Sequence, residues 1–98
     1  VANPSELTPS AVGIPAPELR AGIVHEDATA PGQKIKCILP NFGKQWTSDP
    51  LKWSPFVTPA GFFYPKHGNE AVVAYPPDAP PYIAEWWPAD DTSPDVPL

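Results

Sequence analysis

The chain has 98 residues, enough for one domain with one thin core. Its 17 prolines far exceed the usual share of about 5%, and an interior proline costs a helix roughly 3 kcal/mol, so little helix is expected. Eleven acidic residues against six basic ones give a net charge of −5, which argues against nucleic acid or an anionic membrane as partner; the single cysteine, Cys37, excludes an internal disulfide and a multi-cysteine zinc site.

In chain order, residues 1–20 carry Pro4, Pro9, Pro15 and Pro17 and read as an extended arm. Its apolar residues Leu7, Val12, Ile14 and Leu19 suit either a loose terminus or a strap lying on its own domain or on a neighbouring subunit. The N-terminus has no basic stretch ahead of an apolar core, so no signal peptide is expected, and no apolar run approaches the ~20 residues of a membrane span.

Residues 21–25 (A-G-I-V-H) predict a first strand, with Gly22 marking a bulge or a close backbone approach. Residues 33–39 (Q-K-I-K-C-I-L) predict a second, with Ile35, Cys37 and Leu39 on one face, Lys34 and Lys36 on the other, and Pro40 ending it. Residues 41–54 read as a long loop carrying Phe42, Trp46 and Trp53, with a short helix possible over Asp49-Pro50-Leu51-Lys52. A third strand is expected over 55–58.

Gly61 to Tyr75 is the most strongly β segment. Phe62, Phe63 and Tyr64 precede Pro65, Lys66 to Asn69 form a turn, and Glu70 to Tyr75 alternate as a strand with Ala71, Val73 and Tyr75 on one face. A proline-rich connector, 76–81, leads to a last strand over 82–87. Residues 88–98 are acidic and proline-rich and read as an exposed tail or linker. The expected fold is all-β: a five-stranded barrel of the oligonucleotide/oligosaccharide-binding (OB) type over 21–87, which solves the edge-strand problem, flanked by the arm 1–20 and the tail 88–98.

No catalytic, cofactor-binding or metal-binding residue is assigned. His25 and His67 lack companion ligands, and Cys37 sits on an apolar strand face with no base beside it. Glu26-Asp27 and Asp90-Asp91 are neighbours on a turn or tail and do not flank a substrate as glycosidase carboxylates must. Glu85 is expected to face outward. An enzyme is therefore not expected.

Residues 21–87 resemble the OB-fold domain of phage central tail-spike, or cell-puncturing, proteins and of the related type VI secretion spikes. A-G-I-V-H is similar to an opening G-x-V strand, and P-G-Q-K-I-K-C-I-L-P at 31–40 to G-R-V-K-V-x-x-P. W-S-P-F-V-T-P at 53–59 is similar to W-x-x-P-x-x-P, and residues 61–75 to G-x-x-x-x-P-x-x-G-D-E-V-x-V-x-F. P-P-D-A-P-P-Y-I at 76–83 stands in place of G-D-P-x-x-P-x-V-x-G. Asn69 departs from a common Asp, and Trp86-Trp87 from small residues. No His-x-His pair of a spike apex is present, so the resemblance implies the barrel and not the tip. It implies a virion protein of the tail tip or baseplate: a homotrimer without cofactor, joined to tube or hub proteins, transmitting force into the bacterial envelope.

The surplus of large aromatics over what a small barrel can hide points to an interface. The residues expected there are Ile14, Leu19, Phe62, Phe63, Tyr64, Trp86 and Trp87. The alternative is a monomeric OB module that stacks oligosaccharide on the same aromatics.

Overall fold

The computed structural model describes residues 16–41 and 44–98, and among them the fold is all-β with no helix. Five strands form one antiparallel sheet in the order β3-β2-β1-β6-β7: β1 Glu18–Val24, β2 Cys37–Asn41, β3 Lys44–Thr47, β6 Glu70–Tyr75 and β7 Tyr82–Trp87. A smaller antiparallel sheet, order β4-β5-β8, holds β4 Phe56–Thr58, β5 Gly61–Phe63 and β8 Val96–Pro97. The two edge strands of the larger sheet, β3 and β7, do not pair, so continuous ladders do not close it into a barrel.

The core follows the alternation of the sequence. Val24, Cys37, Leu39, Ala71 and Val73 point to one side of the large sheet and are fully or almost fully buried. Ile35 and Leu51 join them from outside the named strands. The β4–β5 hairpin covers part of this core. Phe56 lies edge-on to both Phe63 and Trp86, with ring centroids 6.4 and 5.8 Å apart. Gly22 is the close approach its position suggested: a Cβ there would meet the Leu39 side chain at 2.7 Å and the Ile38 carbonyl oxygen at 3.0 Å.

Several expectations need correction. Strand β2 runs through Pro40, which pairs with Gln45, because its ladder with β1 has already stopped at Ile38 and asks nothing of the missing N–H on that side. The start of the expected loop is instead β3, hairpinned onto β2. The segment around 49–52 is extended rather than helical. Leu51 and Ile35 exchange backbone hydrogen bonds of 2.7 and 3.0 Å, and Lys52 forms a parallel bridge to Tyr82. Burial of the Leu51 side chain outweighs the local capping pattern, which is a weak preference. The strand over 56–58 belongs to the smaller sheet, not the larger one. The segment 88–98 is tied down at its end, with β8 paired to β5. Residues 1–15 of the arm lie outside the described residues. Strand β1 already begins at Glu18, within the expected arm.

Candidate interaction surface

The side of the large sheet away from the core can be read from the register, since directly opposed residues share a face. One cross-strand row runs Thr47, Ile38, Ile23, Glu70 and Trp87. A second runs Ala21, Val72 and Glu85, and a third Leu19, Ala74 and Tyr82. Leu19 is 60% exposed, Trp87 43%, Tyr82 40% and Ile23 39%. Ala74 is buried on this side between its larger cross-strand neighbours, outside the main core cluster. A half-wet sheet should carry polar residues here; this one is largely apolar, with Glu70 and Glu85 as its acidic members.

The seven residues expected at an interface divide accordingly. Leu19, Phe62 and Trp87 are exposed. Phe63, Tyr64 and Trp86 are not: each is 8% exposed or less and belongs to the chain's own core. Tyr64 packs on Trp53 with centroids 5.3 Å apart, and the Trp86 indole N–H donates to the Ser54 carbonyl oxygen at 2.8 Å. Ile14 lies outside the described residues. Trp86 is inward because β7 bulges: Val72 opposes Glu85 and Val73 opposes Ile83, leaving Ala84 as the extra residue. The bulge puts Ile83 and Trp86 on one side, where strict alternation would have separated them. It leaves Glu85 exposed, in line with expectation.

Ile23, Ile38, Val72 and Tyr82 complete the outer face and were missed. The signal was present in β1, where Leu19, Ala21 and Ile23 repeat every second residue, opposite to the buried Val24 set.

A groove of about 660 Å³ opens beside the start of β7, and its lining includes Lys34, Asp49, Lys52, Trp53, Pro80, Pro81 and Tyr82. Trp53 is fixed there by its indole N–H, which donates to the Gln33 carbonyl oxygen.

Polar side chains join segments that are distant in the sequence. Asp95 accepts from the Tyr64 backbone N–H at 2.7 Å and from the Lys66 ammonium at 2.6 Å. Burial alone would raise its carboxyl pKa, but the hydrogen bonds from Lys66 and Tyr64 and the Lys66 charge hold it below the ordinary aspartate value. The His67 backbone N–H donates to Asp27, and its ring Nδ1 lies 2.7 Å from the His25 carbonyl oxygen. No three His, Cys, Asp or Glu side chains among the described residues are grouped to hold a metal. Burial pushes the Cys37 thiol up to about 11, leaving it a poor nucleophile. No family model, curated protein or solved structure matches the chain.

Proposed function

We propose that the chain is a structural spike protein of a phage tail tip or baseplate, a homotrimeric OB-type barrel that transmits force during penetration of the host envelope. Other tail-tube or hub proteins are its axial partners, and it catalyses nothing. The observation that carries the barrel is a ring of pairings. Strand β1 pairs with β2, Ile35 just before β2 with Leu51, Lys52 with Tyr82 of β7, β7 with β6, and β6 with β1. A ring of five cannot alternate direction throughout, so an odd number of its contacts must be parallel. Four of these contacts are antiparallel and the Lys52–Tyr82 bridge is parallel, the arrangement such a ring requires. Closure through two single-residue bridges suits a five-stranded barrel that stays partly open.

The trimer is supported by the apolar outer face, since large exposed patches rimmed by polar groups mark association sites. Light scattering behind a sizing column tests it: a particle of three times the 10.6 kDa chain mass is expected. A monomer across the micromolar range would overturn it.

The second reading, an oligosaccharide-binding module, is favoured by the groove, where Trp53 and Tyr82 offer aromatic surface beside lysine donors. Titration of tryptophan fluorescence with bacterial cell-wall oligosaccharides separates the two. Saturable quenching by a monomer would support the module.

A further inference from the structure

We infer that Trp87, flanked by Glu70 and Glu85, is the knob by which one copy of the chain docks into the Lys34/Lys52 groove of the next, so that the trimer is built head to tail. The inference rests on the homotrimer proposed above and names its contact. Trp87 projects from the outer face at the end of β7, and its cross-strand neighbour is Glu70. Glu85, two residues earlier, is exposed on the same face. An exposed tryptophan between two carboxylates is an aromatic anchor with a charged collar, the residue type that dominates association energies when it enters a pocket.

The groove offers the complement. Pro80, Pro81 and Trp53 form apolar walls, and Lys34 and Lys52 outnumber Asp49 in charge. Among the described residues, the ion pairs are Arg20–Glu18 and Lys66–Asp95, so Lys34, Lys52, Glu70 and Glu85 form no ion pair with another described residue.

Geometry makes the contact intermolecular. The groove includes Tyr82, the first residue of β7, and the knob is Trp87, its last. At about 3.3 Å per residue the two ends stand roughly 16 Å apart along one strand, beyond the reach of one side chain. Docking must therefore be into another copy. A two-fold contact of outer face on outer face centred on the Glu70/Glu85 end would bring these carboxylates against their own copies, and like charges opposed across an interface are unfavourable. With three copies the knob of each enters the groove of the next, a heterologous contact that generates a ring when the rotation closes.

The experiment measures mass by light scattering over a concentration series, with near-ultraviolet circular dichroism to confirm that each variant is folded. Trp87→Ala should weaken association at least about 30-fold. The double variant Glu70→Lys/Glu85→Lys should be monomeric where the natural sequence is a trimer. Adding Lys34→Glu/Lys52→Glu to it reverses both sides and should restore the trimer. Val57→Ser, exposed on β4 and on neither surface, should leave association unchanged. If the natural sequence is a trimer but Trp87→Ala and the charge reversal each change association less than about twofold, the knob is overturned and the trimer stands. The same holds if the fourfold variant stays monomeric. If the natural sequence is a monomer, the trimer and the knob fall together.

Discussion

The two sheets are held by different forces. The large sheet is held from one side by residues with no exposure at all, including Val24, Ile35, Leu39 and Val73. The small sheet has little of this. Of its three strands only β5 sends a buried side chain, that of Phe63, to the core, and β8 is exposed on both residues. What fixes β8 is polar: the Asp95 N–H donates to the Phe62 carbonyl oxygen, the Leu98 N–H to that of Ala60, and the Asp95 carboxylate bridges Tyr64 and Lys66. Apolar burial is non-directional and indifferent to pH, whereas a carboxylate clasp is directional and titrates. The chain therefore has a core that should open only on global unfolding and a C-terminal clasp that should open alone.

Leu51→Ala tests the core side most severely. Leu51 is 1% exposed and supplies the backbone bridge to Ile35, so its truncation should cost about 2–5 kcal/mol in urea unfolding. Labelling of Cys37 should accelerate in parallel, because that buried, high-pKa thiol reacts only when the large sheet opens. A loss below about 1 kcal/mol would mean that the 51–52 segment is not part of the core.

Gly61→Ala should act on the clasp alone. Residue 61 has φ of +146°, and a Cβ there would stand 2.2 Å from the Val96 carbonyl oxygen. The strain, about 1–3 kcal/mol, should be relieved by release of β8. Hydrogen exchange should then speed at Leu98 and Asp95, while the protection of β1 and β6 stays as it was.

Asp95→Asn removes the charge from the clasp and should cost about 1–2 kcal/mol, given its partial exposure. The pH dependence has a definite sign. A carboxyl held below its ordinary pKa in the folded state stabilises that state above the unfolded value, about 4, and loses the contribution as pH falls through the folded one. The natural chain should lose clasp protection below about pH 4, and Asp95→Asn should flatten that dependence.

The smallest effect is expected at Tyr75, whose hydroxyl is buried without a hydrogen-bond partner among the described residues. Tyr75→Phe removes an unpaired polar group beside the core and should leave stability unchanged or raise it by up to about 1 kcal/mol. A loss larger than that would mean the hydroxyl has a partner.

The proline content and the alternation of 33–39 and 70–75 were enough to give an all-β chain and to place most of β1, β2, β6 and β7, because period-two burial is a local pattern that one strand displays by itself. Pairing is not local. Whether 49–52 turns as a helix or lies extended depended on Ile35, fourteen or more residues away, and whether 88–98 hangs free depended on Asp95 finding Tyr64 and Lys66. The residues expected at an interface divided for the same reason. Phe63, Tyr64 and Trp86 look no different in sequence from Phe62 and Trp87, and only the β4–β5 hairpin and the bulge at Ala84 decide which of them go inside. Residue type alone determined that this chain would be strands with too many aromatics to ignore. Which tryptophan of β7 faces water was decided by a one-residue shift in register, since such a shift turns every later side chain of a strand to the opposite face.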